Sequence, residues 1–589
     1  MKKTFIYMAF AMAVASSTLT SCEDMFGGFL DKQPSNDLTE EDVFADWNMA
    51  TQYHIDTYNY LLNGPNRVNN SWLDAATDLS ESAISTSGVR TSFNIGNYYN
   101  GGGGAELTSP WEAYYRGIRK CNTTLEYLDE VPKNADLTQE QYLKDKMNYK
   151  SEARFLRAWF YWELFLRYGP VPIVTSRLDP DGDLLSDYTE RPTIKEYVVD
   201  FILKELKDLE SGLLSYEDYD SNKLTYGGRV IQPWARALYS RIMLYMASDR
   251  FSKDSGITWQ QAADAAKSFM DDYGTYYSLV TEGTGGYSAY ASAVLTTTYD
   301  QGNTEVIFFR NNGKIYWGDI QNDTPVGEGG NGGNCPSQNL VDMYDMKDGS
   351  SPFKEYDATG APVYGTSLTP DINTVSGYND ATPWTNRDPR FAETVLYNGV
   401  QWNGRILNMV KGAADNPNGN ANATPTGYYM RKYIPENILA ANHVGNNYRN
   451  WAIIRYAEIL LNYAEAMNEV SGPCQEVYSA LNLIRHRAGI TGNVEDRSDL
   501  TSSKDRMRNF IRKERTVELA FEEHRPWDVR RWNVAKEALS RPIYGIDVDA
   551  QGNITRKVAQ TRVFEERMYL YPIPEGEYWK TGIENNPGW

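Results

Sequence analysis

Apolar residues recur at helical spacing in two blocks of the chain, residues 111–275 and 450–532. In the first block, Trp111, Tyr114 and Ile118 show this spacing. The breaks between periodic segments are short, which predicts stacked antiparallel hairpins of the tetratricopeptide kind, although no strict 34-residue period is present. The pattern predicts a helix through 155–166 that stops at 168–170, and further helices over 193–213, 233–247, 258–273, 452–470, 475–488 and 503–523.

Two other regions, about 63–110 and 275–450, are rich in Gly, Asn, Thr, Pro and Tyr. Strand-like runs are few, and residues 305–310 form one of them. Binding residues concentrate on loops that a rigid scaffold holds in place. We therefore expect a mainly α fold with a few short strands, whose binding face is built from these two loop-rich regions.

The N-terminus has the features of an export signal. Lys2 and Lys3 precede a mostly apolar run over 4–15, which is too short to span a membrane. Leu19-Thr20-Ser21-Cys22 resembles the bacterial lipobox; an ordinary secretory cleavage site is the alternative. This predicts a signal peptide over 1–21, a lipid on Cys22, a tether over 22–40 and a single domain over 41–589.

Composition excludes several functions. The 58 Lys and Arg residues face 78 Asp and Glu residues, which gives a formal net charge of −20. Binding to nucleic acid requires a basic face, so we expect no nucleic-acid partner. Aromatic content is high because of 43 Tyr, against 15 Trp and 19 Phe, and the function has to account for these rings.

Enzyme and metal signatures are weak. Gly327, Gly329 and Gly332 spell GxGxxG, but no strand precedes them and no helix follows, so a flexible loop is expected. The thiols of Cys121, Cys335 and Cys474 are too widely spaced for a metal site. We expect no cofactor and no catalytic activity. One loop partly fits an EF-hand, with Leu184 in place of its glycine, so calcium is a minor alternative at Asp179, Asp181, Asp183, Asp187 and Glu190.

The densest group of charges lies over 512–532. Glu514, Glu518 and Glu522 are spaced for one helix face and alternate with cations that could pair with them. Such a network more often locks a helix against its neighbours than performs catalysis, so we interpret it as structural.

Loop aromatics are the remaining candidates. A pyranose presents an apolar CH face that stacks on a ring, and hydroxyls that need polar partners. The candidate sugar-binding residues are Tyr98, Tyr99, Tyr316 and Trp317 as stacking rings, Arg90 and Asn100 as hydroxyl partners, and Tyr287 and Trp72 as further loop rings.

Several segments, in order along the mature chain, resemble the SusD/RagB family of outer-membrane lipoproteins. The strongest are Arg512-Lys513-Glu514-Arg515, Glu523-His524-Arg525-Pro526-Trp527-Asp528, Tyr571-Pro572-Ile573-Pro574 and Asn586-Pro587-Gly588-Trp589. Others are Glu152-Ala153-Arg154-Phe155-Leu156-Arg157-Ala158 and Tyr463-Ala464-Glu465-Ala466.

The resemblance implies a non-catalytic, lipid-anchored receptor on the cell surface, in the outer membrane. It would pass oligosaccharide or polysaccharide to a SusC-like TonB-dependent transporter. Starch-binding members carry a tryptophan in the loop before the helix that holds Tyr114 and Tyr115, and here Tyr98 or Tyr99 would replace it. A peptide receptor of the RagB type and a surface glycoside hydrolase are the alternatives.

The lipobox prediction can be tested by labelling. We expect Cys22→Ala to abolish incorporation of a radiolabelled fatty acid, because the thiol that carries the lipid is removed. Persistent labelling of the variant would contradict the assignment.

Overall fold

The helices form consecutive packed pairs, as the sequence predicts. The computed structural model describes residues 39–98, 105–178, 188–284, 286–296, 303–310, 314–440, 449 and 451–589. The signal peptide and nearly all of the tether lie outside these residues. Within them, seven helices of 14 residues or more form the scaffold: α1 Ala105–Tyr127, α2 Gln139–Tyr168, α3 Gln232–Ala247, α4 Trp259–Tyr273, α5 Tyr456–Ser471, α6 Gln475–Ala488 and α7 Lys504–Glu518.

Each long helix packs on its neighbour in the series. α1 packs on α2, α3 on α4, and α5 on both α6 and α7. The short helix Lys204–Glu210 contacts both α2 and α3, and α4 packs against α5. The two helical blocks are therefore joined into one stack, although a long loop-rich region separates them in sequence.

Local chemistry explains where these helices begin and end. α2 begins with a capping box in which Thr138 and Gln141 bond each other's backbone N–H, and α4 begins in the same way. Pro233 occupies the first turn of α3, where its missing N–H costs nothing. α2 ends at Gly169, whose φ of 72° is readily adopted only by glycine.

Two predictions of long helices are wrong at one end. Residues 452–455 belong to a strand, Trp451–Arg455, and α5 begins only at Tyr456. This strand is buried along its whole length. Its sequence therefore lacks the alternation of apolar and polar residues by which a half-exposed strand is recognised. α7 ends at Glu518 rather than Glu523, because the chain turns through positive φ at Phe521 and Glu523.

The predicted helix over 193–213 is divided. A π-helix covers Lys195–Leu203 and an α-helix continues over Lys204–Glu210. The strand predicted over 305–310 is confirmed by the strand Val306–Arg310, and helix 475–488 has the bounds predicted.

The strands form five two-stranded antiparallel sheets among the described residues: β1 with β3, β2 with β8, β4 with β7, β5 with β6, and β9 with β10. Their bounds are β1 Ser80–Ser82, β2 Val306–Arg310, β3 Asn334–Pro336, β4 Val395–Leu396, β5 Gln401–Trp402, β6 Arg405–Ile406, β7 Tyr429–Met430, β8 Trp451–Arg455, β9 Ile543–Val548 and β10 Ile554–Gln560.

Shorter helices connect these parts. The α-helices are Glu40–Phe44, Trp47–Ile55, Tyr216–Asp220, Lys223–Tyr226, Ser252–Ser255, Ala289–Leu295, Trp317–Ile320, Gln338–Met343, Pro389–Thr394, Ser498–Thr501, Arg525–Arg531, Ala535–Ser540 and Glu575–Thr581. The 3₁₀ turns are Asp56–Tyr60, Leu73–Ala76, Gln321–Asp323, Val326–Glu328, Thr374–Ser376 and Glu566–Tyr569, and Val89–Phe93 is a π-helical turn.

A buried group of charges, which we call the central ion network, lies where α6, α7 and the β2–β8 sheet meet. Arg455, at the end of β8, bonds Glu305 at 2.6 Å, Glu518 at 2.7 Å and Glu522 at 2.7 Å. The network contains six acidic and six basic side chains: Glu305, Asp345, Asp388, Glu514, Glu518, Glu522, Arg390, Lys432, Arg455, Arg485, Arg487 and Lys513.

The structural interpretation of residues 512–532 is confirmed, but the expected pairing within that segment is wrong for the three glutamates. Glu518 is bonded by Arg390, Arg455 and Arg487, all from other elements. Burial opposes ionisation, but these three guanidinium groups hold the pKa of Glu518 well below its ordinary value. The network therefore links elements that are distant in sequence, and it is not a row of ion pairs along one helix.

Substitution of Glu518 tests whether these ion pairs stabilise the fold. We expect Glu518→Gln to lower the free energy of unfolding by about 3–5 kcal/mol, because buried arginines lose their counter-charge. Chemical denaturation measures this. The matched control is Glu112→Gln in an exposed pair with Arg116, where about 0–1 kcal/mol is expected. Equal effects of the two substitutions would contradict the structural role.

Candidate functional site

Three loop segments and one arginine contact one another and form a surface that we call the loop face: residues 63–98, 314–334, 397–440 and Arg449. Asn66 donates to Asp323 at 2.9 Å and joins the first two segments. Asn403 donates to Glu328 at 3.1 Å and joins the second and third. Arg449 donates to the carbonyl of Asp319 at 3.0 Å. The two loop-rich regions of the sequence thus meet, as expected.

Asp323 is the polar centre of the loop face. Its buried carboxylate accepts hydrogen bonds from Trp72 Nε1 at 3.0 Å, Asn66 Nδ2 at 2.9 Å and Asn334 Nδ2 at 3.2 Å. Burial raises the pKa of Asp323, and the charge of Arg449 and these hydrogen bonds oppose the rise. Asp323 thus ties the 63–98 segment to the 314–334 segment at one point.

Trp72 is a packing residue, which corrects its prediction as a sugar-binding ring. It is fully buried, with its ring centroid 5.3 Å from that of Tyr433 and 5.8 Å from that of Trp451. Gly64 lies against the same group, since a Cβ there would be 2.3 Å from the Trp451 ring. These rings are the apolar floor of the loop face.

Tyr316 and Trp317 lie in one turn but have different environments. Tyr316 is 48% exposed, and its backbone N–H donates to Asp319 at 2.7 Å. Trp317 is 6% exposed and packs in the core, so its prediction as a stacking ring is wrong. Of the two, only Tyr316 has an accessible ring face.

Amide side chains lie in the same part of the loop face as Tyr316. Asn331 donates to Asn322 at 2.8 Å, and Asn322 donates to Asn70 at 3.3 Å. Asn70, like Asn66, has positive φ, which asparagine tolerates better than most residues. Asn70 is exposed, and Asn322 and Asn331 are half-buried, so these amides remain partly accessible as donors and acceptors. The amide of Asn66 is instead used by the buried Asp323.

The GxGxxG segment forms a loop, as predicted, and its glycines have structural reasons. Gly332 has a φ of 74°, and a Cβ there would lie 2.2 Å from the carbonyl oxygen of Asn422. Gly333 makes a similar approach to the backbone of Asn322. The approach of Gly332 to Asn422 brings the 314–334 and 397–440 segments together, whereas that of Gly333 closes the 314–334 segment on itself.

Tyr287 lies beside the loop face in a small pocket. The half-buried ring lines this space with Trp402 and Arg431. Arg431 contacts Glu436 at 3.0 Å and Glu393 at 3.6 Å. Tyr433 lines the same pocket and also packs on Trp72, so the pocket and the loop face share a wall.

Other predicted site residues have separate environments. Arg90 keeps a partly exposed side chain and donates to the carbonyl of Ser82 at 3.2 Å. Tyr98 is buried, which corrects its prediction as a platform. Its ring stacks on Trp589, with centroids 5.9 Å apart and planes 7° apart. Tyr99 and Asn100 lie outside the described residues.

The acidic loop predicted as a minor calcium candidate lies almost entirely outside the described residues. Asp179, Asp181, Asp183 and Asp187 lie outside the described residues, and Glu190 is exposed. In the part of the chain that the structure describes, no group of three or more His, Cys, Asp or Glu side chains is placed to hold a metal ion.

Few rings reach the surface. Among the described residues, three aromatic side chains are exposed: Tyr316, Tyr578 and Trp579. Tyr316 is the one on the loop face. Almost all of the described tyrosines are therefore packing residues. The exposed fraction of the ring, which the sequence does not give, identifies Tyr316 as the binding candidate.

Sequence reasoning missed Asp323, Arg431 and Arg449. Nothing in their local sequence distinguishes them from other charged loop residues. For Asp323 and Arg449 the signal is burial against distant segments, and for Arg431 it is a place in the wall of a pocket; both appear only in the folded chain.

Comparison with known families gives two matches. Residues 289–589 match the model described as the SusD family, and residues 28–244 match one described as "Starch-binding associating with outer membrane". Together the two matches cover most of the chain.

Individual relatives agree. SusD-like protein P2 of Formosa agariphila is 31% identical over 166 residues, which cover 27% of this chain and 30% of that protein. SusD-like protein P25 of the same organism is 23% identical over 88% of each chain. A SusD-like protein of Bacteroides fragilis superposes with a TM-score of 0.74 at 26% identity, over 95% of this chain and all of that one.

The role of Asp323 can be tested through its tryptophan donor. We expect Trp72→Phe to lower the free energy of unfolding by about 1–3 kcal/mol more than Trp162→Phe, because it leaves a buried acceptor without its donor. Trp162 is equally buried, and its Nε1 has no hydrogen-bond partner. Denaturant titration compares the two variants, and equal losses would mean that the hydrogen bond contributes nothing.

Proposed function

The chain belongs to the SusD family, and from this premise we propose that it is a non-catalytic cell-surface receptor for oligosaccharide or polysaccharide. It would deliver the glycan to a SusC-like TonB-dependent transporter in the outer membrane. The match of residues 28–244 to the model described as "Starch-binding associating with outer membrane" supports both the ligand class and the location.

The observation that carries the proposal is Tyr316. Its ring is the exposed one among the described rings of the loop face, where Tyr397 is half-buried and the others are buried, and half-buried amides lie in the same segment. An exposed ring beside donors and acceptors suits a pyranose, because the sugar has an apolar face and hydroxyl groups at its edge. The helical turn Trp317–Ile320 holds the tyrosine in position.

The pocket of Tyr287 supplies a second contact region. Arg431 and Glu436 offer donors and acceptors at its rim, and the ring offers an apolar wall. The carboxylates of Glu393 and Glu436 both contact Arg431, so the rim places acceptors and donors side by side for the hydroxyl groups of a ligand. We propose that the glycan extends from Tyr316 toward this pocket.

A lipid on Cys22 would hold the protein at the membrane. Among the described residues, no helix is long and apolar enough to cross a bilayer. Two or more acyl chains on the N-terminal cysteine would give stable anchoring without such a helix.

Substitution of Tyr316 tests the glycan site. We expect Tyr316→Ala to weaken retention in affinity gels containing starch or a soluble β-glucan, with dissociation constants rising roughly three- to tenfold from lost stacking. Tyr578→Ala is the matched control, since Tyr578 is also 48% exposed but lies in the helix Glu575–Thr581.

Three outcomes would contradict the proposal. Retention of Tyr316→Ala equal to wild type on every glycan that wild type binds would exclude this ring. Binding of wild type to a peptide array but to no glycan would favour the peptide receptor. Release of sugar products from a glycan library by purified protein would favour a glycoside hydrolase.

A further inference from the structure

A second, largely buried group of charges lies where the loop face meets the helix stack, and we call it the acidic cluster. Arg67 bonds Glu106 and also Glu523, the latter at 2.7 Å. Arg167 bonds Glu106 at 2.8 Å and Glu163 at 2.7 Å. The cluster contains four acidic and two basic side chains: Asp74, Glu106, Glu163, Glu523, Arg67 and Arg167.

Asp74 differs from the other three acids, because no cation pairs with it among the described residues. It is fully buried, on the 3₁₀ turn Leu73–Ala76. Its Oδ2 accepts the backbone N–H of Glu523 at 3.2 Å, whereas its Oδ1 has no hydrogen-bond partner within the described chain. A buried carboxyl group in such a site is costly as an ion and far less costly as a neutral acid.

The charges that act on Asp74 do not compensate it. Glu522 and Glu523, which follow α7, repel a negative charge there, and Lys432 attracts it. Lys432, however, is already bonded to Glu522 at 2.6 Å. Burial and the charge of Glu523 raise the pKa of Asp74 to about 8. Burial also raises the pKa of Glu523, although Arg67 opposes that rise.

Other charges near the turn have partners of their own. The elements packed against it are β1, the π-helical turn Val89–Phe93 and the helix Arg525–Arg531. Their charged groups are Glu81 with Arg90 and Arg562, Arg525 with Asp78, Arg531 with Asp528 and Glu465, and Arg530, which donates to backbone carbonyls. His524 is neutral, because burial and nearby arginines lower its pKa well below the ordinary value.

Asp74 lies at a junction between the loop face and the scaffold. Two residues before it, Trp72 donates to Asp323 at the centre of the loop face. On its other side, Glu523 has a φ of 59°, a conformation that surrounding contacts have to hold in a residue other than glycine. A change in the charge of Asp74 therefore acts on both parts of the molecule.

We propose that protonated Asp74 holds the loop face to the helix stack, and that its ionisation releases this contact. The proton resides on Oδ1, the oxygen without a partner, while Oδ2 keeps its bond to the backbone of Glu523. Loss of the proton places an uncompensated charge beside Glu522 and Glu523 and drives the turn Leu73–Ala76 away from them. Segment 63–98 is thereby loosened at alkaline pH.

The direction of the pH dependence follows from proton binding. In the unfolded chain Asp74 has an ordinary pKa of about 4. Between this value and about pH 8 the folded state binds one proton more than the unfolded state. The contribution of Asp74 to stability therefore falls as the pH rises through this range, and it is constant above the range.

Denaturation of wild type and Asp74→Asn from about pH 5 to about pH 9.5 tests the contact, since asparagine has the shape of the neutral acid and cannot ionise. We expect the unfolding equilibrium constant of wild type, relative to that of the variant, to rise by up to tenfold per pH unit until about pH 8 and then to level. Asp505→Asn, at a side chain that is 82% exposed, is the control, and its ratio to wild type stays constant.

Two further measurements locate the proton and the loosened segment. The infrared band of a protonated carboxyl group should be present in folded wild type at neutral pH and absent from Asp74→Asn. Above about pH 8, amide hydrogen exchange over 63–98, relative to α3, should be faster in wild type than in the variant at the same pH.

Opposing results would overturn the proposal separately from the function proposed above. A stability ratio for Asp74→Asn that stays constant with pH, or a carboxyl band that persists in this variant, would exclude Asp74 as the protonated group. Equal exchange over 63–98 in the two proteins would exclude release of the contact. If Asp74→Asn does not fold, wild-type exchange over 63–98, relative to α3, decides, and no change across about pH 8 overturns the proposal.

Discussion

Arg455 contacts three carboxylates that lie far from it in sequence, and all four side chains are buried from solvent. Solvent therefore cannot replace a lost partner. Glu305 precedes β2, Glu518 ends α7, and Glu522 follows it. Because burying an ion is costly unless it is paired, each element must be in place for the others to be stable. The helix stack and the β2–β8 sheet are therefore assembled as one unit.

The same network supports the loop face. Lys432 bonds Glu522 at 2.6 Å and also donates to the hydroxyl of Tyr290 at 2.7 Å. The next residue, Tyr433, packs on Trp72, which in turn donates to Asp323. A continuous set of buried contacts thus runs from the scaffold to the surface loops. Loops tied in this way are pre-organised, so a ligand is bound at little cost in ordering.

Much of the scaffold could be predicted because its signals are local. The glycine at 169 marks the end of α2 without reference to any other segment, and the predicted stop at 168–170 rests on it. β8 escaped prediction because a strand buried on both faces has no alternation, and its identity depends on its partner β2.

The candidate site was harder to predict, for a related reason. Tyr98, Trp317 and Trp72 occur in loop-like sequence beside glycine and asparagine, yet tertiary contacts bury them. Tyr316 has the same kind of neighbours and stays exposed. Exposure of a ring is set by which distant segment covers it, and no local pattern contains that information. The ion pairs around Arg455 could not be predicted for the same reason, because the partners lie far apart in sequence.

The stacking of Trp589 on Tyr98 has a consequence for the order in which the protein folds. The two rings come from parts of the chain that lie very far apart in sequence, and their planes are only 7° apart. Contacts of this kind form late, because closing a long loop costs conformational entropy that only the folded scaffold can offset. The surroundings of Tyr98 therefore become ordered only after the helices between the two rings have packed.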